Sequence, residues 1–196
     1  MPAAAGKVLT SKPDGFPATF VIDFSQNYFA LFGLEPAFQI DLPRLEQSYR
    51  ALQAKVHPDK FSSASDQERR LSMQWSTHVN EAYQTLKQAI DRARYLLTLR
   101  GIDTQEETNT AMPSEFLIAQ MEWREAISQA AEAADVMALD RLGSKLRQAI
   151  QQLHEELGQQ LDQQQDYTGA AQAVRKLRFF DKLRTEISDA LEGLEA

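Results

Sequence analysis

From about residue 26 onward, apolar residues recur every three or four positions, the spacing of one face of an α-helix. Leu42, Leu45, Tyr49, Leu52 and Val56 step by 3, 4, 3 and 4, which predicts an amphipathic helix over 42–56. Pro58 ends it, because proline lacks the amide hydrogen and disfavours helical geometry at the residue before it. Ahead of this helix, Tyr28, Phe29, Leu31, Phe32 and Leu34 crowd into a short segment closed by Gly33 and Pro36. Behind it, Ser65 and Glu68 have the spacing of a capping box. They open a third helix with Leu71, Trp75, Val79, Ala82, Leu86 and Ile90 on one side. A short continuation over 91–100 presents Tyr95, Leu96, Leu97 and Leu99, and Gly101 is placed to cap it.

Residues 101–111 are mostly polar and predict a linker. Three long helical patterns follow, at about 113–133, 135–164 and 167–194. The middle one carries Val136, Leu139, Leu142, Leu146, Ile150, Leu153, Leu157 and Leu161. A lone helix is marginal in water, so three such stripes with short connections predict mutual burial in a three-helix bundle. No strand pattern interrupts the series. The expectation is an all-α chain with a flexible leader over 1–25, a helical domain over 26–100, the linker, and the bundle over 112–196.

Composition narrows the function. The chain has 196 residues, 43% of them apolar, enough for a real core. Its formal charge of −7 argues against a phosphate backbone as the main ligand. Absence of cysteine rules out disulfides and thiolate metal sites, and His57, His78 and His154 are too scattered for a zinc site. No apolar run reaches membrane-spanning length. The leader lacks a secretory core. These features favour a cytoplasmic protein over one of an organelle matrix, with no metal or cofactor.

The informative hexapeptide is Val56-His57-Pro58-Asp59-Lys60-Phe61. Its His-Pro-Asp falls between an amphipathic helix and a longer one, so the two helices form an antiparallel hairpin with the tripeptide at its tip. As plain structure, His57 would close the helix, Pro58 would stop it and Asp59 would serve the turn. The setting favours a functional tip.

This region resembles a J domain in its short aromatic helix, its helix with Tyr49 and Lys55, the His-Pro-Asp tip, and the long helix with Asn80, Ala82, Tyr83 and Leu86. The resemblance implies docking onto the ATPase domain of a DnaK-type chaperone, with Asp59 offered to a cation there and His57 holding the loop. Arg50, Lys55 and Lys60 would supply a positive face beside the tip. From Tyr28 onward the chain resembles the HscB family, J-proteins of iron–sulfur cluster assembly. The matching segments are Tyr28-Phe29-Ala30-Leu31-Phe32-Gly33-Leu34, His57 to Phe61, Arg92-Ala93-Arg94-Tyr95-Leu96-Leu97, and Arg175 to Leu183. The implied role is a monomeric, non-enzymatic adaptor that stimulates ATP hydrolysis by an HscA/DnaK-type chaperone and delivers the scaffold protein IscU to it.

A second candidate site comes from helix geometry. At roughly 100° per residue, Phe116, Ala119, Trp123, Ile127, Ala130 and Ala134 share one sector. Leu117, Ile118 and Met121 fall outside it, rimmed by Glu122, Glu125 and Gln129. Phe179 likewise points away from the stripe of Ala173, Val174, Leu177, Phe180, Ile187 and Leu191. These outliers either extend the core or form a protein-binding patch. The resemblance implies that Leu117, Ile118, Met121, Glu122, Glu125 and Phe179 hold the scaffold, with Arg178 and Gln129 beside them; Gln129 replaces an acidic position.

Two other function classes compete. An enzyme would need a site, but Gly6-Lys7 lacks the phosphate-loop pattern and an exposed His57–Asp59 pair has no pocket. A nucleic-acid binder could use Arg175, Lys176, Arg178, Lys182 and Arg184, although such runs are usually solvated helix faces.

Overall fold

A computed structural model describes residues 25–61, 65–104 and 113–195. The elements are α1 (Tyr28–Leu31), α2 (Leu42–Val56), a 3-10 turn (Pro58–Phe61), α3 (Asp66–Lys87), α4 (Ala89–Leu99), α5 (Ser114–Glu132), α6 (Val136–Gly158), a π-helical turn (Gln159–Gln164) and α7 (Tyr167–Glu195). No strand occurs among the described residues, and among them no helix is long and apolar enough to cross a membrane. The predicted leader lies almost wholly outside the described residues, as does most of the predicted linker.

The chain divides into two compact units. The first contains α1, α2, the 3-10 turn and α3, ending at Gln88. Its helices begin where the sequence supplies caps. Asp41 accepts the Arg44 amide at 3.0 Å to start α2. Ser65 and Glu68 form a reciprocal capping box on α3. Hydrogen bonds from Ser65 hold the Glu68 carboxyl below its ordinary range. Leu45 and Val56 of α2 are buried with Trp75, Val79, Ala82 and Leu86 of α3, and Phe29 of α1 is buried as well. Each buried Leu, Val or Phe among them contributes roughly 1.5–3 kcal/mol when fully removed from water.

The second unit contains Ala37–Gln39 and everything from Ala89 onward. The sequence placed 89–100 in the first domain, whereas α4 belongs to the second unit. Gln88 leaves helical geometry at ψ 124° and ends α3. Ala93, Leu96 and Leu97 then form a separate buried face, and α4 packs on α7. Gly101, at φ +74°, closes α4: its amide donates to Thr98 at 2.9 Å and the next amide to Leu97 at 2.9 Å. The three long helices form the expected bundle, with α6 packed along α7 and α5 on both.

Residues 37–39 form a strap in this unit. Asp162, in the π-helical turn, accepts the Phe38 amide at 2.7 Å and the Gln39 amide at 2.9 Å. The buried Arg92 donates through Nε to the Phe38 carbonyl at 2.7 Å, with its guanidinium 5.2 Å from the Phe38 ring centre. Burial lowers the Arg92 pKa, and the Asp162 carboxylate pulls it back up.

Candidate functional site

The first unit builds the tip. Helix α2 ends on buried Val56, and His57 turns the chain with φ −58° and ψ 128°. Lys60 donates its amide to the His57 carbonyl at 3.0 Å, closing the 3-10 turn. The Asp59 amide donates to His57 Nδ1 at 3.3 Å, which leaves the proton of a neutral ring on Nε2. The Asp59 carboxylate lies 3.5 Å from the same Nδ1. An ion pair there needs a protonated nitrogen and the amide bond an unprotonated one, so the two contacts are alternatives. The Asp59 side chain is 89% exposed, presented to solvent with no enclosing pocket. Arg50 pairs with Glu46 at 2.5 Å, one turn back, so part of its charge is already matched. Lys55 and Lys60 are exposed on either side of the tripeptide.

A polar brace stands behind the tip. Tyr49 stacks on Tyr83 with ring centres 4.0 Å apart and donates its hydroxyl to Asn80 at 2.8 Å. Gln53 also donates to Asn80. Helical periodicity did not reveal this brace, because it treats polar positions as solvated. The only signal was the co-occurrence of Tyr49, Asn80 and Tyr83 among the matched residues.

The second unit builds the patch. Leu117, Ile118 and Met121 are exposed on α5, with exposed Glu122 and Glu125 beside them. Gln129 donates its side-chain amide to Glu125 at 3.0 Å. Phe179 requires correction: it is only 7% exposed and does not stand outside the core. Its ring packs edge-on against Phe116 at 5.6 Å and lies 5.8 Å from Phe180, with the Arg124 guanidinium 5.4 Å above it. The reason is that α4, α5 and α6 all pack on α7, so its buried sector is wider than one stripe. Phe179 therefore supports the helix that carries the patch.

The basic run on α7 is largely used internally. Arg175 donates to the Thr104 carbonyl at 3.0 Å, and Lys176 lies 5.8 Å from the Phe116 ring centre. Arg178 reaches Asp91 at 3.5 Å, and Arg184 reaches Asp181 at 2.7 Å. Arg178 thus has a partner within its own unit. Among the described residues no cluster of histidine and carboxylate could hold a metal ion.

Comparison with known proteins gives the family. The family model described as the HSCB C-terminal oligomerisation domain matches residues 112–188. A protein of Azoarcus sp. strain BH72, the "Co-chaperone protein HscB homolog", is 49% identical over 89% of this chain and 98% of its own length. The chain belongs to the HscB co-chaperone family. Solved members of this family share the fold. Chaperone HscB from Vibrio cholerae is 37% identical with a TM-score of 0.77, over 86% of this chain and 99% of that one. The human co-chaperone HscB is 30% identical with a TM-score of 0.83, over 97% of this chain and 96% of that one. The all-α architecture of a J domain followed by a helical bundle is that of the HscB family.

Proposed function

We propose that this protein activates ATP hydrolysis by an HscA/DnaK-type chaperone through the tip and carries an IscU-type iron–sulfur scaffold to it on the α5 patch. It does so as a cytoplasmic adaptor. The observation that carries this reading is the tip itself: Asp59 projects into solvent at the end of a braced helical hairpin. A carboxylate so displayed suits a cation on a partner surface, and Lys55 and Lys60 suit acidic groups around it. Leu117, Ile118 and Met121 support the second half, as exposed apolar groups rimmed by Glu122 and Glu125.

The two contacts sit in separate compact units of one chain. A scaffold held by one unit is thereby kept at raised effective concentration for a chaperone held by the other. The test is the steady-state ATPase of an HscA-type chaperone with IscU, with added protein or its Asp59→Asn variant. Stimulation that is lost in Asp59→Asn while IscU binding persists is the expected result. Equal stimulation by both proteins would overturn the role given to Asp59.

A further inference from the structure

We propose that the client-holding surface continues beyond the α5 patch into a groove at the α5–α6 hairpin, and that this groove takes an apolar, carboxylate-bearing segment of the same scaffold partner. The inference rests on the patch being the client surface, and it adds a second contact of opposite charge.

The groove is an open depression of about 410 Å³. Its α5 wall is Ala126, Ala130 and Ala133, and its α6 wall is Ala138 and Leu142. Elsewhere α6 buries Leu139, Leu146, Leu153 and Leu157, which fill the space between helices. Here methyl groups face the gap from α5 and leave it open to solvent.

The rim carries two cations against one acid, Asp135, at the end of the groove where α6 begins. Arg141 and Lys145 stand one helical turn apart on α6, both lining the groove and both exposed. The fold makes modest use of them: Arg141 reaches Asp135 at 3.9 Å, and Lys145 lies 5.3 Å from the Trp123 ring centre. An exposed ion pair of this kind contributes about 0–1 kcal/mol, so a partner's carboxylate can compete for Arg141. In a chain of net charge −7, two neighbouring cations beside an apolar channel run against the overall field.

Gln129 joins the groove to the patch. It lines the groove, and its amide donates to Glu125 of the patch at 3.0 Å. From α5 toward α6, the surface passes from apolar groups with carboxylates to an open, alanine-lined groove where Arg141 and Lys145 outnumber Asp135. A partner of matching polarity has basic groups near Glu122 and Glu125 and an acid near Arg141 and Lys145. Docked the other way round, it would set like charges together, so the sign change fixes its direction.

The test uses the full-length protein and purified IscU-type scaffold. Arg141→Gln should slow association about three- to tenfold at low salt and little at high salt. Ala133→Trp, which fills one end of the groove, should speed dissociation. A photoactivatable residue at position 141 should crosslink to a scaffold segment containing Asp or Glu. If both groove variants bind normally while Met121→Ala weakens binding, the groove is not a contact and the patch reading stands. If all three bind normally, the patch reading fails and takes the groove with it. Crosslinks between two copies of this chain, with groove variants altering only self-association by light scattering, would make the groove a self-interface and overturn the proposal. Because Arg141 is exposed, its variant remains informative even if Ala133→Trp fails to fold.

Discussion

Truncating the three apolar residues of the patch should weaken scaffold binding in the order Met121, Ile118, Leu117. Only the surface still exposed in the free protein is available for burial by a partner. Met121 is 72% exposed, Ile118 57% and Leu117 43%. Scaling the roughly 1.5–3 kcal/mol for full burial by those fractions assigns about 1–2 kcal/mol to Met121 and about 0.6–1.3 kcal/mol to Leu117. Met121→Ala should therefore raise the dissociation constant about 5- to 30-fold and Leu117→Ala about 3- to 9-fold, with Ile118→Ala between them. The fraction already buried serves the fold, so loss of stability should follow the opposite order. Titration calorimetry against IscU gives the first ranking and urea denaturation the second. If binding losses instead rise with destabilisation, Leu117 worst in both, these residues act through the fold and the patch is not a contact surface.

Phe179→Ala should destabilise the bundle by about 3–5 kcal/mol, as removal of a buried aromatic does, seen as a lowered urea midpoint. Native stability with lost scaffold binding would contradict the packing against Phe116. Ala134 sits at φ 51°, where its amide and the next donate to Ala131 and Ala130 at the end of α5. An L-residue in this left-handed region costs roughly 1–2 kcal/mol. Glycine removes that cost but adds about 0.4–1 kcal/mol of unfolded-state entropy. Ala134→Gly should thus raise stability by about 0–1.6 kcal/mol in urea denaturation, and a clear loss would refute the strain. His154 is held below its ordinary pKa of 6.5 by burial and then by the Arg92 guanidinium, with Asp181 opposing. The unfolded chain takes up the proton first, so stability present above pH 6.5 should fall as pH drops through the lower folded value. His154→Gln should flatten the stability–pH curve in that window, and an unchanged slope would remove His154 from the account.

The sequence alone determined most of the helices and several of their ends. Leu42 to Val56, the Pro58 stop, the Ser65–Glu68 box and Gly101 all stand where spacing and capping chemistry placed them. Those are local matters, set by backbone geometry within a few residues. The His57-Pro58-Asp59 tip was legible for the same reason: proline lacks the amide hydrogen that the interior or end of a helix needs. The tertiary structure decided what depends on how many neighbours a helix has. One stripe predicted one buried face for α7, but three packed helices buried Phe179 as well. The assignment of α4 turned on the break at Gln88. The strap at Phe38 pairs with residues far away in the chain, Asp162 at a separation of 124 positions and Arg92 at 54. Periodicity carries no record of such pairings, because a buried arginine and a solvated one fall at the same helical spacing. Only the packed chain shows which of them has exchanged water for a carbonyl.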